Sequence, residues 1–167
     1  MDTPLLERLQ AARDGLAATR SPVEAGAPWP MAAVYDDSDE ARWGPGEVLA
    51  HLAEMAQYWL GEIERVLDGA PDPVPFGRIA TDAVRIGVVG RDRSLPPREL
   101  YDRIDDALTR FDRRWRSLTE ADLARRGLHP SRGELAVADM PDRFIVGHLA
   151  DHVGQLERIL AGTDSAG

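Results

Sequence analysis

The chain has 167 residues, no cysteine, and 20 basic against 29 acidic residues, a formal net charge of −9. That length suits one domain with a core that needs no cross-links, and the missing cysteines exclude disulfides, thiolate metal ligands and a thiol nucleophile. Every basic residue is arginine and the arginines are scattered through the sequence, so nucleic acid, which is bound through a basic face, is not an expected partner.

The N-terminus Met1-Asp2-Thr3-Pro4 lacks a basic stretch followed by an apolar run, and no window approaches the roughly 20 apolar residues of a membrane span. A soluble, cytoplasmic protein with no membrane partner is expected, one domain over residues 1–167. Apolar residues at steps of three and four then mark amphipathic helices. The first runs from about Pro4 to Ala18, with Leu5, Leu9, Ala12 and Leu16 on one face. A Pro-, Gly- and acid-rich stretch from about Arg20 to Gly44 follows, read as an ordered loop pinned by Trp29 and Trp43 and long enough to line a site. Pro45 suits a first helical position and Glu47 the first turn of the second helix, where the helix dipole favours an anion. Its face reads Val48, Leu52, Met55, Trp59, Ile63, Val66, and it stops near Leu67.

From Ala70 to Pro97 repeated prolines surround a short helical piece, Ile79 to Val89, so a long crossover is expected rather than a tight hairpin. The third helix spans about Pro97 to Leu118, with Leu100, Ile104, Leu108, Phe111 and Trp115 as its stripe. A short helical turn near Ala121 to Arg126 precedes the breakers Gly127, Pro130 and Gly133. The last helix, about Pro141 to Leu160, turns Phe144, Ile145, Leu149, Val153, Leu156 and Ile159 inward. Four such stripes, with no alternating pattern of comparable length, predict an all-α bundle.

His148 and His152 lie one turn apart on the last helix, so one helix can offer two imidazoles to one metal ion. His51 sits on the second helix beside Val48 and Met55 and is expected to point inward as well. A hydrogen-bonded core histidine and a chance surface pair are the plainer readings of each alone. Three neutral imidazoles buried together are costly without a common partner, whereas a divalent ion satisfies all three lone pairs. Three histidines leave at least one coordination position for water, the arrangement of catalytic zinc; imidazole suits zinc, nickel, iron and copper, of which zinc or nickel is expected. Counting residues from the helix starts puts His51 and His148 at one level if the two helices run parallel; an antiparallel pair needs a stagger.

The stretches Trp43-Gly-Pro-Gly-Glu-Val-Leu-Ala-His51-Leu and Phe144-Ile-Val-Gly-His148-Leu-Ala-Asp-His152-Val-Gly-Gln155-Leu resemble the DinB-like superfamily, a likeness that extends over nearly the whole chain. The resemblance implies a four-helix bundle with long crossover connections, a homodimer, and a divalent metal on the residues matching His51, His148 and His152. It also implies a thiol-linked activity, since the superfamily includes bacillithiol transferases and the metal-binding domain of the mycothiol-dependent maleylpyruvate isomerase. The chain ends soon after the fourth helix, without that isomerase's additional C-terminal domain, so isomerase activity itself is not expected. The function read from this is a metal-dependent enzyme, a thiol-dependent S-transferase or related hydrolase acting on a small electrophile, with a low-molecular-weight thiol as co-substrate. The alternative is a non-catalytic metal-binding or interaction module.

Other residues carry two readings each. Gln155 could orient a ligand or water, or simply end the bundle. Glu54 and Tyr58, near His51 by helical spacing, could support a ligand or act as general acid and base, or be a surface Glu and a core-edge Tyr. Asp151 could accept from an imidazole N–H, though a solvated helix charge is simpler. His129, between Gly127 and Pro130, could reach the site, but a solvent-facing turn is the plainer expectation. Arg78 and Arg85 could bind a substrate carboxylate or form surface salt bridges.

Overall fold

A computed structural model describes residues 3–32 and 40–164. Helix α1, Thr3–Gly26, runs beyond its expected end. Pro22 removes one backbone donor inside it, yet tertiary anchors hold the added turns. The Thr19 hydroxyl reaches Leu16 O at 2.7 Å and Tyr101 Oη at 2.8 Å, Val23 is fully buried, and Trp29 Nε1 donates to Val23 O at 2.8 Å. The expected loop over Arg20 to Gly44 is shortened accordingly, and its residues 33–39 lie outside the described residues.

Helix α2, Pro45–Asp68, starts at the proline. Glu47 is wholly buried there: its carboxylate accepts from Gly44 N at 3.1 Å and Ala32 N at 2.8 Å and meets Arg93 at 3.3 Å. The expected dipole charge is therefore also the clasp between α2 and the segments flanking it. The crossover holds strand β1, Val74–Pro75, and helix α3, Ala83–Asp92, capped by Asp82. Helix α4, Pro97–Arg116, and the short α5, Glu120–Ala124, follow. Strands β2, Arg126–His129, and β3, Gly133–Ala136, precede a π-helical turn, Asp142–Val146, that leads into α6, Gly147–Asp164.

Helices α1, α2, α4 and α6 form the bundle, with α2 beside α4 and α6, and α1 beside the same two. Side-chain pairs fix their directions. Arg13 with Asp105 and Arg20 with Asp102 make α1 and α4 antiparallel, while Arg8 with Asp142 and Gly15 against Val153 make α1 and α6 parallel. Glu47 with Arg93, just before α4, and Glu64 with Arg114 make α2 and α4 parallel, which the long crossover permits. Trp59 stacks on Phe144 while His51 faces His152, so α2 and α6 are antiparallel. The antiparallel option left open by the spacing is the one adopted, with α6 running past the start of α2. The expected stripes supply most of the core, with Leu5, Leu52, Ile104 and Leu149 at most 1% exposed; Trp59 and Ile159, expected on the same faces, are only half-buried, and each lines a cleft. Among the described residues no helix is long and apolar enough to cross a membrane.

One addition was not foreseen: a small sheet ordered β1-β2-β3, parallel between β1 and β2 and antiparallel between β2 and β3. Its strands are two to four residues long, too short to show a period of two. It places the β2–β3 turn over one end of the bundle.

Candidate metal centre

His51 comes from α2, and His148 and His152 from successive turns of α6; one ligand atom from each lies within 4.8 Å of the others. His51 and His152 are 2% and 6% exposed, and His148 is half-buried. The three ring centroids are 4.8–5.0 Å apart. His51 Nε2 faces His148 Nε2 at 2.8 Å. His152 Nδ1 is taken by Gln155 Oε1 at 2.8 Å, which leaves its Nε2 to the centre, and Gln155 Nε2 donates to Glu40 O at 2.6 Å. Ligand atoms of a tetrahedral ion with nitrogen bonds near 2.05 Å stand about 3.3 Å apart. To hold one, the His51–His148 pair must open slightly and the wider separations of the trio, up to 4.8 Å, must close. His51 Nδ1 and Trp43 Nε1 are buried without a hydrogen-bond partner among the described residues, and the two rings meet edge to face at 5.5 Å.

Electrostatics suit the same role. Burial above all, then the neighbouring His148 and Arg85, hold His51 well below its ordinary pKa, and burial with His152 brings His148 to about 4. Both are neutral at physiological pH, with lone pairs available to a cation.

Glu40, which sequence reasoning did not single out, lies at the trio's edge with Oε2 4.0 Å from His152 Nε2 and its other oxygen on Arg85. Its only local signal is an acid in a breaker-rich segment; the contact with α6 is wholly tertiary.

The remaining candidates make other contacts. Glu54 is not a surface residue: its carboxylate grips Arg78 with two bonds of 2.6 and 2.5 Å, both side chains 9% exposed. Arg78 lies 3.7 Å over the Tyr58 ring, and burial drives the Tyr58 hydroxyl up to about 12. Glu54 and Tyr58 thus seat Arg78. Arg85, over Trp43, pairs with Glu40 and Ala80 O. Arg78 forms a buried ion pair, and the buried Arg85 one with the half-buried Glu40, where surface pairs were the plainer expectation. Asp151 is exposed. His129 corrects the solvent-facing expectation: it is 4% exposed, stacks with Phe144 and Trp59, and accepts from Ser131 N at 3.2 Å. Strand β2 carries it inward, and Gly77, at φ +81, leaves room for its ring where a Cβ would lie 2.4 Å from Cδ2.

Two clefts reach the trio. One, about 440 Å³, is bordered by Asp151, Gln155 and Arg158 and exposes His148 and His152. The other, about 480 Å³, opens on His51 and His148 between Trp59, Phe144 and His129. Glu40 borders both.

The sequence model of the DinB superfamily matches residues 5–156. The chain belongs to the DinB superfamily. Its fold is shared with YfiT from Bacillus subtilis, described as a probable metal-dependent hydrolase with an unusual four-helix bundle topology. Identity is 15%, the TM-score is 0.72, and the match covers 98% of this chain and 90% of that one. A histidine-to-alanine variant of the mycothiol-dependent maleylpyruvate isomerase matches at 16% identity and TM-score 0.56, over 96% of this chain and 60% of that one. At these identities the likeness is one of fold within the superfamily. No curated protein sequence matches the chain.

Proposed function

We propose that this superfamily member is a metal-dependent enzyme in which His51, His148 and His152 hold one divalent ion, zinc or nickel. It transfers a small thiol to an electrophile, or hydrolyses a small substrate. The observation that carries this reading is the convergence of three imidazole nitrogens from two antiparallel helices at the floor of two solvent-reaching clefts. When bound, such an ion supplies Lewis acidity, which makes a water or thiol more acidic and a better nucleophile. His51, His148 and His152 offer their Nε2 atoms. Gln155 fixes the tautomer and orientation of His152 through Nδ1, as partners of ligating histidines do. Glu40, beside His152, accepts the proton that the nucleophile gives up. Clefts on either side of the trio give thiol and electrophile separate approaches. The description of YfiT as a hydrolase supports the water version, and the mycothiol dependence of the isomerase supports the thiol version.

The same reading takes residues 1–167 as one domain, working as a cytoplasmic homodimer on small molecules. Its test is elemental analysis of protein purified without added metal, followed by a thiol-transfer screen. His148→Ala and His152→Ala should each remove most of the metal, and His129→Ala should keep it. A full equivalent of metal in both α6 variants would sink the assignment. Full metal with no turnover of any thiol or ester would favour the non-catalytic module.

A further inference from the structure

The cleft of about 480 Å³ is bordered by four arginines, Arg78, Arg85, Arg132 and Arg143, in a chain whose net charge is −9. Two are already matched. Arg78 is held by both oxygens of Glu54, and Arg85 by Glu40. Arg132 and Arg143 are exposed and have no carboxylate partner among the described residues; Arg132 rests its guanidinium 5.8 Å over the Phe144 ring. Two cations without a carboxylate among the described residues, at one mouth of an acidic protein, form a local reversal of its field, which concentrates anions there.

The wall between those cations and the imidazoles is aromatic. Trp59 and Phe144 stack at 4.1 Å with their planes 14° apart, and His129 lies parallel to Phe144 at 5.4 Å. Trp59 is only half-buried and lines the cleft, so part of its indole remains available to a flat molecule. His129 cannot serve as a further metal ligand through Nδ1, because that atom accepts from Ser131 N. It serves as wall. The β2–β3 turn that carries Arg132 and the π-helical turn that carries Arg143 and Phe144 bring cation and ring together.

We infer that this cleft binds a small planar organic anion, its flat body against Trp59 and Phe144 and its carboxylate or phosphate on Arg132 and Arg143, with the reactive end toward His51 and His148. The inference rests on the metal-enzyme reading for its purpose, and supplies the substrate class which that reading lacks. Guanidinium recognises carboxylate and phosphate by the same paired hydrogen bonds, so the experiment separates the two.

The test is calorimetric titration of the metal-free and zinc-loaded protein with benzoate, phenyl phosphate and the neutral isostere benzamide. Metal-free protein excludes direct coordination of the probe. Benzoate or phenyl phosphate should bind it at least roughly tenfold more tightly than benzamide. The tighter of the two names the anion. Arg132→Gln with Arg143→Gln should weaken the anion roughly tenfold and leave benzamide unchanged; Trp59→Ala should weaken all three. Both arginines are exposed, so the double variant should keep its circular dichroism and zinc stoichiometry. Equal binding of benzoate and benzamide, unchanged benzoate affinity in the double variant, or no binding of any probe would overturn the inference. Anion binding in a protein that takes up neither zinc nor nickel would leave the cleft assigned and remove the metal reading instead.

Discussion

At the residue scale, the three histidines were legible because two share a helix face by spacing and the third lies on a stripe of core residues. Their supports were less so. Gln155 reads equally as a residue that orients a ligand or water and as an end-of-bundle polar one; it bridges His152 Nδ1 and the backbone of Glu40, 115 positions away. Such partners hold a ligand's ring and raise its basicity. Gln155→Leu should weaken zinc binding roughly 10- to 100-fold, measured by competition with a chromophoric chelator, with little change in the fold. Affinity equal to wild type would mean that the bond does not orient His152. Arg132 and Arg143 carry no local signal at all; what distinguishes them is that no carboxylate among the described residues pairs with them, and Glu54 and Glu40 are committed elsewhere only in the folded chain.

At the scale of elements, the stripes predicted the bundle helices to within a few residues, except where tertiary bonds extend α1 past Pro22. The start of α6 was read as plain helix and is a π turn, a feature that leaves no mark on apolar periodicity over five residues. Gly147 closes it: its N–H bonds Asp142 O, and a Cβ there would stand 2.8 Å from that oxygen. Gly147→Ala should therefore lose stability, by about 1–2 kcal/mol, because crowding outweighs the gain in helix propensity. Since His148 is the next residue, zinc affinity should fall with it. Gly61→Ala, in an open position on α2, should instead gain up to about 1 kcal/mol. Paired denaturant melts decide; a stabilised Gly147→Ala protein would show that the turn relaxes freely.

At the scale of the whole molecule, one contiguous core of Leu, Ile, Val, Phe and Trp runs through all four bundle helices, each buried side chain contributing roughly 1.5–3 kcal/mol. Ligands therefore sit on helices that do not need the ion, and bound metal adds only its preference for the folded state. Chelation should lower the melting temperature and abolish any thiol-transfer activity while leaving the helical circular dichroism signal; light scattering on the same sample should give a dimer. An apoprotein that loses its helices would make the metal structural, and a monomer at every concentration would remove the dimer. By itself the sequence determined the helical class, the four stripes, the absence of cysteine ligands and nucleophiles and the three imidazoles, because each follows from composition or from a period of 3.6 within a single segment. Only the tertiary structure decided that α2 and α6 run antiparallel with a stagger, that Glu40 reaches His152, that His129 turns inward, and that two of four arginines in one cleft have no carboxylate partner among the described residues. Those depend on which distant surfaces pack together, and packing is settled by the shape and charge of the whole chain rather than by any local period.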